Sequence, residues 1–347
     1  MFLSASGLRT HIWNNNLRSI LLLAGFPLLL IAIGFAFALL WGGQAVTAQP
    51  GWRGTHPSVG TEHSVADALS TVLANGPMIA LISLAITAVW FIIAWFFHTA
   101  IIQASTGARS VTRAQEPELY NLLENLCISR GMTMPRLAVI ETGALNAYAS
   151  GVRESQYTVT VTRGLMQTLD RAELEAVLAH ELSHIRHGDV RLLVIAVIFV
   201  GIISFAGELM FRSLFMRSVR RSGSNRQGRN GAALVFIALA IVAVAYGLAI
   251  LIRFSLSRRR EYMADAGAVE LTRNPDAMIS ALMKISGRSD VDKAPDEVRE
   301  MFIDNPRTGF MGFFATHPTI DQRIDALVDY ADGQRPTAPS TTSVPEV

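Results

Sequence analysis

The sequence predicts an α-helical membrane protein that carries a mainly helical soluble domain of α+β structure. Half of its 347 residues are hydrophobic and only 17% are charged, which is more apolar than an ordinary soluble protein. The apolar residues are concentrated in four segments of at least 20 residues. The rest of the chain alternates between helix-like and strand-like patterns. Together these observations define the fold class.

The four apolar segments are long enough to span a bilayer. They are residues 19–41, 76–97, 192–211 and 231–252. A hydrocarbon core of ~30 Å requires about 20 helical residues, and the only charged residue within the four segments is Glu208. We therefore predict about four transmembrane helices. A cleaved secretory signal is the alternative for the first segment, but its apolar run exceeds the usual ~7–15 residues.

The segments divide the chain into five regions. These are a first membrane hairpin (1–100), the first part of a soluble domain (101–190), a second membrane hairpin (191–253), the second part of the soluble domain (254–332) and a disordered tail (333–347). The tail is rich in Pro, Ser and Thr, a composition that disfavours a packed core. The two soluble parts together contain about 170 residues, which is enough for one hydrophobic core.

Arginine positions predict the orientation in the membrane. Arg9 and Arg18 precede the first segment, and Arg109 and Arg113 follow the second. Because cytoplasmic flanks carry an excess of Lys and Arg, we expect the amino terminus and the soluble domain in the cytoplasm. Net charge is only +2, which gives no indication of nucleic-acid binding, and we expect no nucleic-acid partner.

The second hairpin conflicts with this rule. Its connecting loop carries six arginines and no acid, namely Arg212, Arg217, Arg220, Arg221, Arg226 and Arg229. A crossing hairpin would place them outside the cytoplasm. We predict that it crosses, because unsatisfied backbone cannot turn back within lipid. A re-entrant hairpin that keeps its arginines near anionic cytoplasmic head groups is the alternative.

The soluble regions show both helix and strand patterns. Helices are predicted at 115–130, 258–271 and 278–285, and strands at 136–141 and 157–163. In the second strand, Tyr157, Val159 and Val161 alternate with threonines, which is typical of a half-buried strand.

A further helix carries the most specific motif. It begins after Asp170, where Glu173 occupies the capping-box position, and Gly188 is placed to end it. Inside it lies His180-Glu181-Leu182-Ser183-His184. The four-residue spacing places both histidines on one helical face, one turn apart, where they can bind a single metal ion.

Two histidines leave a zinc ion short of ligands, since a hydrolytic site usually has three from the protein. Val190 stands where a third histidine would complete one known pattern. Glu261 and Asp265 offer another solution, in which Glu261 binds the metal and Asp265 orients a ligating histidine. His187 is an alternative metal contact. Cys127 is the only cysteine, which excludes a thiolate cluster.

Four motifs in combination resemble those of the HtpX-type membrane zinc metalloproteases, relatives of the CAAX prenyl proteases. They are His180-Glu181-x-x-His184, Glu261-x-x-x-Asp265, Asn146-Ala147-Tyr148-Ala149 and His317-Pro318-x-x-x-x-Arg323. The resemblance covers roughly residues 100–330. It implies a gluzincin fold and the hydrolysis of misfolded or damaged membrane proteins, as protein quality control, with the catalytic domain on the cytoplasmic side of a bacterial inner membrane.

The resemblance also implies roles for single residues. His180, His184 and Glu261 would bind one zinc ion per chain, and Glu181 would be the general base. The strand at Asn146, Ala147, Tyr148 and Ala149 would pair with an extended substrate. His317 and Arg323 would lie near the cleft, where either residue could stabilise the oxyanion of the tetrahedral intermediate.

Three other functions are open to the same sequence. A dedicated prenyl-protein protease would favour an enclosed chamber of many spans. A catalytically silent scaffold or adaptor would usually lack Glu181 or a ligand, and all are present. A metal transporter would need ionisable residues inside several spans, and only Glu208 qualifies. The partners expected are damaged membrane proteins and the lipid bilayer, and a homo-oligomer is left open.

Overall fold

A computed structural model describes the greater part of the chain. The described residues are 17, 20, 25, 27–39, 65–220, 236, 239–240, 243–244, 258–291, 294–299, 301–304 and 318–335. Contacts divide the chain into two compact units, one of residues 1–19, 97–195 and 254–347 and another of residues 20–96 and 196–253.

The apolar segments form helices where they are described. These helices are α1 (Pro27–Leu39), α3 (Gly76–Thr106) and α7 (Asp189–Arg220), and a further helix, α2 (Val65–Ala74), lies between the first two segments. Within the described residues, α3 is the one helix long and apolar enough to cross a membrane, with a mean hydropathy of 2.4. Its side chains Met78, Leu81 and Phe96 are more than 60% exposed. Such a surface is suited to lipid contact rather than to water.

Part of the four-span prediction lies outside the described residues. The segment at 192–211 falls within α7, whereas the segment at 231–252 is described at five positions only. Residues 42–75 connect the first two apolar segments. Helix α2 falls near the end of this connection, and the part before residue 65 lies outside the described residues. The count of four spans therefore stays a prediction.

One of the two units, residues 1–19, 97–195 and 254–347, contains most of the predicted soluble domain and is named the soluble unit. It contains a four-stranded sheet. Its strands are β1 (Arg109–Val111), β2 (Arg136–Ile140), β3 (Ala147–Ser150) and β4 (Thr158–Thr162) in the order β1-β2-β4-β3. β2 and β4 are parallel, and the two outer pairs are antiparallel. The prediction of strands near 136–141 and 157–163 is confirmed. The expected half-buried pattern of the second is wrong, since all five residues of β4 are buried and both of its faces are therefore covered.

Helices complete the soluble unit. They are α4 (Pro117–Arg130), α5 (Arg163–Thr168), α6 (Arg171–His187), α8 (Arg259–Thr272), α9 (Pro275–Ile285), α10 (Asp296–Arg299) and α11 (Ile320–Ala331). α6 is almost wholly buried, as expected for a central helix. Its predicted ends are confirmed: Asp170 and Glu173 form a capping box, and Gly188 ends the helix with a φ of 74°.

Helices α6 and α8 approach each other closely at a glycine. A Cβ added to Gly267 would lie 2.4 Å from Ser183 Oγ and 2.8 Å from its Cβ, distances that atoms do not tolerate. The absence of a side chain at position 267 therefore permits the close packing. This packing brings Glu261, on the first turn of α8, opposite the two histidines of α6.

Candidate metal centre

Three buried side chains from α6 and α8 converge on one point. His180 Nε2 lies 3.1 Å from His184 Nε2. Glu261 Oε2 lies 3.7 Å from the first of these nitrogens and 3.8 Å from the second. All three residues are buried. The two histidines meet because they are one turn apart, and Glu261 joins them through the packing of α6 on α8.

The separations suit a tetrahedral metal ion. Zinc bonds of ~2.0–2.1 Å in a tetrahedron place the ligand atoms roughly 3.3 Å apart, which is close to the three distances observed. Two imidazoles and one carboxylate also form a known ligand set for catalytic zinc, in which the fourth position is left for water or substrate. The residues present therefore fit a zinc ion.

An aspartate holds each histidine from the side away from the convergence point. Asp265 Oδ1 lies 2.9 Å from His180 Nδ1, and Asp189 Oδ2 lies 3.0 Å from His184 Nδ1. Such contacts leave Nε2 of each ring as the ligating atom. Asp265 was expected in this role. Sequence reasoning missed Asp189, although its position directly after the helix-ending Gly188 brings it back towards His184.

Arg323 is joined to this arrangement through Asp265. Its Nε and Nη2 donate to the two carboxylate oxygens at 2.9 and 2.6 Å, and its Nη1 donates to the carbonyl of Ile303 at 2.8 Å. Burial alone would raise the pKa of Asp265, but the guanidinium outweighs it and lowers that pKa. Arg323 thus lies near the centre, where its Nη2 is also 3.4 Å from His180 Nδ1 and its Nη1 is 4.0 Å from Glu261 Oε2.

Burial and nearby charges also shift the pKa values of Glu181 and His184. Burial raises the pKa of Glu181, and its Oε1 has no hydrogen-bond partner among the described residues. At His184, burial opposes protonation, but the charge of Glu261 and the bond to Asp189 raise the pKa to about 10 in the absence of metal. A metal ion that binds there must displace a proton.

The strand at Asn146–Tyr148 is more enclosed than the sequence suggested. Asn146 Nδ2 donates to the carbonyls of Ser289 and Asp304, at 2.7 and 2.9 Å. The Tyr148 hydroxyl lies 3.1 Å from Thr106 Oγ1, inside the core. Neither of these two side chains is therefore available to a substrate, which narrows the expected contact to the backbone.

The outer edge of β3 is also partly used. The carbonyl of Ala147 accepts from the amide of Ile303 at 2.9 Å, and its own amide donates to Asn146 Oδ1. In an antiparallel pair, alternate residues direct their backbone groups outwards, so Ala149 is the next to do so. No hydrogen bond to its outward groups is found in the described part of the chain, and the residue is only 3% exposed.

His317 and His187 are the two remaining candidate residues. His317 lies outside the described residues, so its expected position stays a prediction. His187 is buried on α6, with its Cε1 3.7 Å from where a Gly267 Cβ would be. It is not a member of the converging group of three, and Glu261 supplies the third possible ligand.

Comparisons with known proteins agree with this site. The family described as Peptidase family M48 matches residues 113–331. A protein named Protease HtpX homolog from Bacteroides fragilis is 42% identical over 333 residues, which cover 93% of this chain and 99% of that protein. A protein of the same name from Listeria monocytogenes is 36% identical over 278 residues, which cover 76% of this chain and 90% of that protein.

One solved structure is also similar. The crystal structure of S. mikatae Ste24p aligns with a TM-score of 0.43 and 19% identity, and covers 70% of this chain and 57% of that one. The family match spans more than half of the sequence, and the relative from Bacteroides fragilis aligns with almost all of it. The chain therefore belongs to peptidase family M48 and is a membrane-bound zinc metalloprotease.

Proposed function

We propose that this protease is an endopeptidase that degrades misfolded or damaged membrane proteins at a bacterial cytoplasmic membrane. The arginines that flank the first two apolar segments support a catalytic unit that faces the cytoplasm. The two relatives named Protease HtpX homolog, from Bacteroides fragilis and Listeria monocytogenes, are bacterial proteins. The four apolar segments support a multi-pass arrangement, with the chain's soluble parts joined in one catalytic domain.

The convergence of His180, His184 and Glu261 is the observation that carries this proposal. These residues would hold one zinc ion per chain, with Nε2 of each histidine and Oε2 of the glutamate as donors. When bound, zinc supplies an electrophile that polarises the substrate carbonyl and makes water more acidic. Glu181 then accepts the water's proton and delivers it to the leaving amine.

Other residues would position this machinery. Asp265 and Asp189 fix the tautomers of the two histidines, and Arg323 fixes Asp265. His317 stays a candidate for the group that stabilises the oxyanion. Because Arg323 donates to Asp265 and Ile303, we assign it a positioning role.

Substrate recognition would use the outward backbone groups of Ala149, which a peptide reaches by displacing the surroundings that bury this residue. A peptide that adds to a strand edge is bound mainly through its own backbone, so its side chains would matter little. Broad sequence tolerance suits quality control, in which the substrates share damage rather than sequence. A dedicated prenyl-protein protease would instead require a pocket selective for one chemical group.

Substitution of Glu181 tests the proposal. Glu181→Gln should retain zinc and lose nearly all proteolysis, because an amide cannot accept the proton. Glu175→Gln, on the same helix outside the converging group, is the matched control and should behave as wild type. Zinc content and degradation of an unfolded membrane protein would be measured in parallel. Proteolysis at the wild-type rate by zinc-loaded Glu181→Gln would refute the mechanism.

A further inference from the structure

A groove lies on the soluble unit between helices α8 and α11. Its volume is about 550 Å³, within the range of ligand-binding clefts. It is lined by Tyr262 and Ala266 of α8 and by several residues of α11, from Gln322 to Ala331. The apolar part of its lining comes from alanines and Leu327, which offer contact surface to the stem of a long side chain.

The rim of the groove is acidic and aromatic. Asp325 and Asp329 line it, and both are exposed. Tyr330, beside them, is 89% exposed, and Tyr262 lies on the facing helix. Carboxylates and tyrosine rings both attract cations, the rings through their negative faces. The groove therefore matches a ligand that is positively charged and has apolar stems, as Lys and Arg side chains do.

A guanidinium of the chain itself already occupies part of this rim. Arg335, just beyond the end of α11, forms an ion pair with Asp325. It is half exposed, so a competing arginine from another peptide can reach the same carboxylate. The contact places an arginine side chain at this rim.

The spacing of the two carboxylates indicates the form of the ligand. Asp325 and Asp329 are one helical turn apart, about 6 Å along the axis. In an extended peptide, alternate side chains point to one side and are roughly 6.6–6.8 Å apart. The stretch of α11 from Gln322 to Ala331 is about 14 Å long. This length accommodates roughly four extended residues, of which two would face the aspartates.

We propose that this groove docks a short basic segment of the substrate, extended and with Lys or Arg at alternate positions. The inference rests on the proposed function and specifies its substrate class. Cytoplasmic flanks of membrane-spanning segments are enriched in Lys and Arg, so a membrane protein offers such a segment next to each span. Docking would hold a substrate by its flank while another part of the chain reaches the metal centre.

The location of the groove is consistent with an accessory role. Asp265 lines it and also contacts His180 Nδ1 at 2.9 Å. The groove therefore ends one side chain away from the converging metal ligands, on the side opposite to the ligating nitrogens. A docked segment would not obstruct the position of the bond to be cleaved.

Peptide binding to the full-length chain tests the inference. Fluorescence anisotropy would be measured in detergent micelles with the Glu181→Gln variant, which prevents cleavage. The probes are a labelled peptide with arginines at alternate positions, a peptide of the same composition with adjacent arginines, and one with glutamines instead. Because binding needs no hydrolysis, the result is independent of whether the proposed proteolysis is observed.

Two substitutions in the rim are expected to change the affinity for the alternating peptide in opposite directions. Asp325→Asn/Asp329→Asn should weaken binding of the alternating peptide about five-fold, as expected for two exposed ion pairs. Arg335→Gln should strengthen it, because it removes the internal competitor. Glu118→Gln/Asp290→Asn changes the net charge equally at exposed sites outside the groove and should leave affinity unaltered. Equal affinity for all three peptides, or equal losses in both double variants, would overturn the proposal.

Discussion

Arg323 binds Asp265 through two parallel hydrogen bonds, with Nε 2.9 Å from Oδ2 and Nη2 2.6 Å from Oδ1. Asp265 in turn contacts His180. Arg323, on α11, therefore helps to fix a possible metal ligand that lies on α6. Both partners of the ion pair are almost completely buried. In such a setting the loss of one partner leaves an uncompensated charge.

Arg323→Ala should therefore lower both stability and zinc affinity. Breaking a buried ion pair costs about 3–5 kcal/mol, and loss of support for a ligand weakens metal binding roughly 10–100-fold. Arg323→Lys keeps the positive charge but cannot form two parallel hydrogen bonds to Asp265. It should therefore recover only part of the stability and part of the zinc affinity. Competition with a zinc chelator and thermal unfolding measure the effects. Wild-type zinc affinity in a folded Arg323→Ala protein would contradict the positioning role.

Glu261→Ala should reduce zinc occupancy more than any change at Asp265, because it removes a ligand rather than a neighbour of one. Asp265→Ala should weaken zinc binding roughly 10–100-fold. Glu270→Ala, on the exposed face of the same helix, controls for the loss of an acid from α8. Metal analysis after dialysis gives the occupancies. If Glu261→Ala retains wild-type zinc, the third ligand lies elsewhere.

Gly267→Ala should destabilise the protein although alanine favours helices. The new Cβ would overlap Ser183, and overpacking of this kind costs about 1–3 kcal/mol. Separation of α8 from α6 would also draw Glu261 away from the histidines and lower zinc content. Ser183→Gly in the same chain removes the overlapping atoms and should restore part of both losses. Additive effects of the two substitutions would show that the sites do not interact.

Ala149→Pro should impair peptide binding without removing zinc. Proline deletes the outward backbone donor that a paired substrate needs, and one hydrogen bond contributes about 0.5–1.5 kcal/mol. We expect a rise in KM of roughly three- to ten-fold. Ala149→Val adds similar bulk and keeps the donor, so it isolates the effect of the amide. An equal KM change in both variants would argue against backbone pairing at this position.

Cys127 should react with thiol reagents only when the protein unfolds. Burial, helped by the nearby Glu124, raises its pKa to about 11, so the reactive thiolate is scarce at neutral pH. The unfolded thiol ionises near 9.0, so the stability associated with Cys127 is present below that pH and lost as pH rises towards 11. Maleimide labelling followed by mass spectrometry measures how fast Cys127 reacts in the native and in the unfolded protein. Ser129→Cys in a Cys127→Ser background is the exposed control and should label rapidly in the native state.

Local sequence determined the elements that depend on neighbours along the chain. The start and end of α6 follow from Asp170, Glu173 and Gly188, whose capping bonds reach only a few residues. The proximity of His180 and His184 follows from helical spacing alone. Long apolar runs likewise predicted membrane helices, because burial in lipid depends on composition over about 20 residues. These features need no knowledge of distant contacts.

Tertiary structure decided the contacts between residues far apart in sequence. The ion pair of Arg323 with Asp265, the coverage of β3 by Ile303 and the full burial of β4 all depend on how helices and strands pack. Spacing along the chain gives no information on these contacts, since packing brings together residues as far apart as Asn146 and Asp304, which are 158 positions from each other. Asp189 was missed for a related reason, because its role depends on the turn at Gly188. The sequence alone could nominate the metal ligands, but only packing determines which of their neighbours hold them in place.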